Sequence, residues 1–344
     1  MQIQDLREVN LKVFVTHFVP PSSSICSRLE DFLVPRLNLD YIKSYYRLFR
    51  YGKRGSTPWR TDIMTKVRRK QEYQKLFYIN NLITSFLRMP VGSVEIQIHT
   101  NSANSALNIS RIWKSERVHT HVHEQYNRIN YFNNSPWQIH EDSPWLLTWE
   151  HKKTLSKEVG QGSSTDIFIC IEDDALFNLD NLIYFMQYKT FLKEKRLIPS
   201  FLRTEWSYEN KDFVAIDRWE PLAKIKLSSL NKVTTEDGQL FAELPNPYSG
   251  LVVLDYEMAL EYVASKAIDL ELSRELTWWD IGARAAMGLQ FVDVPAGFTS
   301  RNVVPVSRDL LGVEPIAWVA HQPNLYANKL AFPTGLTPRS LFEI

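Results

Sequence analysis

The chain has 344 residues, 44% of them apolar and 23% charged, and a formal charge of +1. Such a composition excludes a disordered, fibrous or disulfide-stapled chain, and near-neutrality gives no general reason to expect nucleic acid as a partner. Cys26 and Cys170, the only two cysteines, imply no disulfide framework. No apolar run approaches the roughly 18 to 20 residues that span a bilayer, and charges stand where a secretory leader would be apolar, so a cytoplasmic protein, soluble or peripheral to a membrane, is expected.

Residues 11–16 (LKVFVT) read as a β-branched strand that leaves through the turn-rich residues 17–24. Residues 31–49 have helical character, and residues 61–86 are a stronger helix candidate closed by Pro90. Residues 92–99 alternate, with Val94, Ile96 and Ile98 on one face and Glu95, Gln97 and His99 on the other, which predicts a strand. Between 43 and 75 stand eleven Lys or Arg against only Asp62 and Glu72, interleaved with aromatic residues. A solvated helical face explains this basic segment, and so does a surface for anionic lipid head groups or a charged acceptor. A stripe without a recognisable module is weak support for nucleic acid.

His119, His121 and His123 alternate, and three imidazoles on one strand face suggest substrate contacts or, in another class, a zinc hydrolase site. Neighbours on one strand are poorly arranged to converge on one ion, so ordinary polar-face histidines are the simpler expectation. Residues 125–165 are irregular, with a short helix expected near 144–153. Residues 166–171 (DIFICI) then form a continuous apolar strand, the pattern of a parallel sheet covered on both faces.

That strand stops at Glu172, Asp173 and Asp174. Three adjacent carboxylates repel one another unless a cation neutralises them, and their oxygens suit Mg²⁺ or Mn²⁺, which also takes phosphate oxygens as ligands. The competing reading is a solvated acidic turn that caps the next helix. Further along, helices are expected over 179–196 and 256–266, strand pieces over 213–230, a strand over 251–254, a helix over 276–287 closed by Gly288, and a strand over 289–294. The tail from 312 to 328 ends in a loop containing His321.

The run TDIFICIEDDALF resembles the strand and acidic D-x-D-type motif of nucleotide-sugar glycosyltransferases of the GT-A fold. PYSGLVVLDYEMALEYV is similar to their aromatic-Ser-Gly turn, strand and helix, TWWDIG to the acidic helix start that carries the base in inverting members, and VAHQPNLY to the late metal-binding His. The resemblance covers about residues 165–328. It implies an α/β, GT-A-like fold with a central, mostly parallel, Rossmann-like sheet flanked by helices, in one catalytic domain. Residues 1–175 would be its nucleotide-binding half, with the basic insertion at about 43–75, and residues 176–344 its acceptor-binding and catalytic half.

The same resemblance implies Asp174 and His321 as ligands of Mn²⁺ or Mg²⁺, and Glu172 and Asp173 close to the ribose or donor sugar. Ser249 and Gly250 would contact donor or acceptor, and Asp280 would be the general base. Thr16 and His17, at the first strand end, are nominated for the nucleoside. The donor would be a nucleotide-diphosphate sugar and the acceptor a carbohydrate or glycolipid, as in polysaccharide biosynthesis. Trp279 stands where the commoner motif has its first carboxylate. A retaining transferase, a metal-dependent nucleotidyltransferase or hydrolase, and a non-catalytic carbohydrate-binding protein are the alternatives.

Overall fold

The computed structural model describes residues 6–19, 58–127, 143–216, 224–324, 326–327 and 336–343, with backbone alone at 58–71 and 144. The helix expected at 31–49 lies outside these residues. β1 (Asn10–His17), α1 (Pro58–Leu87), β2 (Ser93–Thr100), α2 (Ala103–Ile112), β3 (Val118–Val122), α3 (Glu150–Gly160) and β4 (Ile167–Glu172) come first. β5 (Ala175–Leu176), α4 (Leu179–Glu194), β6 (Ile198–Pro199), β7 (Leu202–Ser207) and β8 (Asp212–Ala215) follow. After them come β9 (Ile225–Lys226), β10 (Lys232–Thr234), β11 (Leu240–Glu243), β12 (Leu251–Asp255) and α5 (Tyr256–Ala264). The last are α6 (Ile281–Ala285), β13 (Asn302–Pro305), β14 (Trp318–His321) and β15 (Phe342–Glu343).

The principal sheet has the order β12-β4-β1-β2-β3. β4, β1, β2 and β3 are parallel and β12 runs antiparallel to β4, so the chain is an α/β protein with a mixed, mostly parallel central sheet. Both faces are covered, which is why Ile167, Phe168, Ile169, Cys170 and Ile171 are all buried. α3 lies over the face that carries Lys12, whose Nζ bonds Glu158 on that helix (2.7 Å) as well as Glu95 (3.1 Å). α1 lies over the other face and buries Leu76, Ile79, Ile83 and Phe86, each worth roughly 2 kcal/mol of transfer free energy. The polar alternate positions of β2 share the Lys12 face and are not solvated: Gln97 and His99 are buried on the side covered by α3.

Two four-stranded sheets, β5-β14-β7-β8 and β10-β11-β13-β6, and the pair β15-β9 complete the described architecture. No helix among the described residues is long and apolar enough to cross a membrane.

Three local expectations are corrected. The helix expected over 276–287 is only Ile281–Ala285, because Asp280 caps its first turn and Gly288, at φ +54°, turns the chain so tightly against β12 that a Cβ would lie 2.3 Å from Val252 Cγ2. No strand forms over 289–294. Leu289 and Val292 are buried in successive turns there, with Asp293 at positive φ (47°), and the strand is instead β13. His321 is the last residue of β14 rather than part of a loop.

Candidate functional site

The site is built at the carboxyl edge of the parallel strands, where ligands of open α/β sheets gather. The β1–β4 register sets Thr16 opposite Glu172, and Thr16 O accepts the Asp173 N–H at 3.1 Å. His17 follows and joins Asp173 through Nδ1 to Oδ2 at 2.6 Å, both side chains being buried. A neutral His17 that donates from Nδ1 leaves Nε2 as an acceptor, and that buried atom has no hydrogen-bond partner.

β5 brings in the second component. It pairs Ala175 with His321, and the Gln322 N–H donates to Asp174 O at 2.8 Å. His321 Nε2 then stands 3.6 Å from Asp174 Oδ1, beyond hydrogen-bond reach, and that buried carboxylate oxygen is otherwise unpartnered. The other ring nitrogen, Nδ1, bonds Glu205 Oε1 on β7. Glu205 Oε2 accepts from the Tyr326 and Ala327 N–H groups at 2.7 and 2.6 Å, so one buried carboxylate fixes both the imidazole and the chain beyond it.

Gly250 and Tyr248 shape the third side. Gly250 has φ +69°, and a Cβ there would lie 3.0 Å from Arg203 Nη1 and 3.2 Å from Glu172 Oε2. Only glycine fits a turn that tight. Glu172 accepts from the Tyr248 hydroxyl (2.5 Å) and from Arg203 (3.1 Å). Ser249 is buried with its hydroxyl on Leu251 O (3.2 Å), so it fastens the start of β12. From Tyr248 a stack of near-parallel rings leads outward to Trp279 (6.0 Å, 19°) and Trp278 (5.2 Å, 16°). Asp280 follows, its Oδ1 accepting the Ala283 N–H at 2.8 Å as the N-cap of α6.

The neutralising cation expected for the acid triplet is partly supplied by the chain. Lys75 on α1 bonds Asp173 Oδ1 (2.6 Å) and Asp174 Oδ2 (3.1 Å). Burial opposes the charge of all these groups, yet pairing prevails. Lys75 is held above its ordinary value by Asp173 and Asp174. Asp174 is held well below the usual carboxylate range by Lys75, His321 and Arg203. His321 is raised to about 9 by the Asp174 carboxylate that faces it and by its bond to Glu205. Glu172 goes the other way: burial pushes its carboxyl up against the pull of Arg203.

Thr16, His17, Glu172, Asp173, Asp174, Ser249, Gly250 and His321 thus meet at one sheet edge, with Asp280 joined to it through the aromatic stack. Lys75, Arg203 and Glu205 were not foreseen at this site. Arg203 and Glu205 did carry a signal, two charges spaced by two within a short strand that is otherwise fit for burial. Lys75 was read only as one of a basic run.

The histidines form a separate group. β3 stands beside β2 with His121 opposite His99, and His123 lies just past the strand. The His99 ring is stacked between His121 (5.0 Å) and His123 (5.3 Å), and His99 Nδ1 is 3.1 Å from His123 Nε2. Stacked rings do not converge on an ion. Burial, then His121 and His123, lowers His99 from 6.5 to about 3. The unfolded chain takes up this proton near pH 6.5 and the folded chain resists it, so stability present above pH 6.5 is lost as pH falls through that window. Urea melts should show a loss on the order of 1 kcal/mol per pH unit between pH 6 and 5. His99→Asn should flatten this slope, and an unchanged slope would assign it to other groups.

No family model matches the chain, and no curated protein sequence matches it.

Proposed function

We propose that the chain is a metal-dependent glycosyltransferase on a GT-A-like fold, moving a sugar from a nucleotide-diphosphate sugar to a hydroxyl of a carbohydrate or glycolipid acceptor. The observation that carries this reading is the facing pair Asp174 Oδ1 and His321 Nε2, one an unpartnered buried oxygen and the other a ring nitrogen braced from behind by Glu205. A carboxylate behind a metal-binding histidine fixes its tautomer and orientation.

These two residues fit Mn²⁺ or Mg²⁺. Among the described residues no group of three or more His, Cys, Asp or Glu is arranged for a metal ion. The remaining ligands would therefore be water and diphosphate oxygens, as hard cations in phosphate sites commonly have. Binding would displace the His321 proton. Such an ion, once bound, supplies Lewis-acid charge that orients the diphosphate and stabilises it as leaving group.

The chain's own residues supply the rest. Lys75 and Arg203 add fixed positive charge beside the acids, suited to phosphate oxygens. Unpartnered His17 Nε2 offers the nucleoside a hydrogen-bond acceptor at the end of β1. Tyr248, Trp279 and Trp278 provide flat apolar faces for sugar rings. Asp280 would take the acceptor hydroxyl proton as that oxygen attacks the anomeric carbon and the carbon–diphosphate bond breaks, which inverts the centre. A retaining enzyme with the same metal site would need no base there.

A panel of nucleotide sugars screened by thermal shift, with and without Mn²⁺, tests the reading. A donor at about 100 times its Kd should stabilise the fold by roughly 2.7 kcal/mol, a melting shift of several degrees, and only with the metal present. Absence of any shift across the panel would count against the site. Donor consumption at equal rates with and without sugar acceptors would make the chain a hydrolase.

A further inference from the structure

α1 has two unlike sides. At 30 residues it extends about 45 Å. One side meets the sheet through buried Leu76, Ile79, Ile83 and Phe86, and from that side Lys75 reaches Asp173 and Asp174. The other side holds Tyr73 and Phe77, one turn apart and 71% and 61% exposed, the most exposed aromatic residues of this helix among those described. Helical spacing sets positions 59, 66 and 70, which are Trp59, Lys66 and Lys70, in line with 73 and 77. Asp62 is the one acidic position near that line, since Glu72 is spaced with buried Leu76, Ile79 and Ile83 and accepts from Asn104 on α2 (3.4 Å).

We propose that this line is a docking surface for an anionic phospholipid bilayer. The occupant follows from its chemistry. Aromatic rings with an apolar body and a polar tip settle at the head-group layer, and lysines beside them are drawn to negatively charged lipid. A helix whose spacing sets the positions of Lys66 and Lys70 in line with exposed Tyr73 and Phe77 brings both kinds of residue to one side, as a bilayer surface requires. A protein with formal charge +1 has no long-range attraction for polyanions, so the preference has to arise from this local pattern. The same helix sends Lys75 to the acidic edge from its opposite side, so a docked protein would hold that edge about one helix diameter, roughly 10 Å, from the lipid head groups. This proposal is independent of the glycosyl-transfer reading.

The test is co-sedimentation of the full chain with vesicles of phosphatidylcholine alone or mixed with phosphatidylserine. Binding is expected only to the mixed vesicles, and it should weaken at high salt because surface charges are screened. Tyr73→Ala with Phe77→Ala should weaken partitioning by about tenfold or more, as two rings leave the interface. Lys66→Glu with Lys70→Glu should weaken it by roughly 25-fold or more, at about fivefold for each lysine lost. The exposed aromatic pair leaves the melting temperature unchanged, so loss of binding there is not loss of fold. Equal binding by wild type and both double variants would overturn the assignment. So would failure of wild type to bind mixed vesicles at low salt, or capture of the protein by single-stranded oligonucleotide where vesicles leave it in solution.

Discussion

Asp174→Ala is expected to lower sugar transfer by about 10³-fold or more and to abolish the dependence of donor binding on divalent cation, since several kcal/mol of Lewis-acid stabilisation would lose its anchoring oxygen. Its effect on stability separates two accounts of the acid triplet. Mutual repulsion alone predicts that deleting one of three adjacent carboxylates stabilises the fold. The structure instead pairs Asp174 Oδ2 with Lys75 and brings Oδ1 toward His321, and these partners hold the carboxyl well below its ordinary value. Deletion should therefore destabilise, by roughly 1 to 3 kcal/mol, because Lys75 keeps Asp173 as a partner. A carboxylate with a depressed value contributes stability that is present above about pH 4 and lost as pH falls below it. Wild type and variant should differ in urea melts at pH 7, and the difference should shrink steadily as pH falls below about 4. A variant more stable than wild type at pH 7 would restore the repulsion account, and unchanged Mn²⁺ dependence of donor binding would remove Asp174 from the metal site.

Much of the sheet was legible because its cause is local. Alternation in β2 and the unbroken apolar run of β4 both carry a strand signal, and the structure gives both as strands within a residue or two of the expected limits. The place of the acid triplet at the carboxyl end of a buried strand was legible for the same reason, since charges mark where an apolar run ends. What neutralises them was not. Lys75 meets Asp173 across 98 residues and Glu205 meets His321 across 116, separations over which no sequence period operates. The helix expected from 276 failed for a physical reason visible only in three dimensions. Trp278 and Trp279 stack toward Tyr248, so helix formation waits until Asp280 can cap it. The alternation of β2 does not show what covers its polar face: α3 and the residues around it bury His99 there, and burial lowers its imidazole to about 3.

Asp280→Asn is expected to cost on the order of 10² to 10⁴ in turnover if Asp280 takes the acceptor's proton. Asp280 Oδ1 already accepts the Ala283 N–H, so its structural duty is defined. Asparagine performs that duty about as well, because its side-chain carbonyl accepts the same hydrogen bond. The substitution therefore removes proton acceptance and keeps the cap, and melting temperature and donor affinity should stay near wild type. The neighbouring rings would supply the context for a base: Trp279 and Trp278 stack outward from Tyr248, whose hydroxyl bonds Glu172 at the sheet edge, so an acceptor sugar on these faces would be held between the acidic cluster and the start of α6. Removal of the proton from the attacking oxygen on that side, opposite a departing diphosphate, would fix the stereochemistry of the proposed transfer. NMR of the product should give the anomeric configuration opposite to the donor's. Near-normal turnover in Asp280→Asn would reduce Asp280 to a helix cap, and a product that keeps the donor's configuration would demand a retaining mechanism in which no base on the acceptor face inverts the centre.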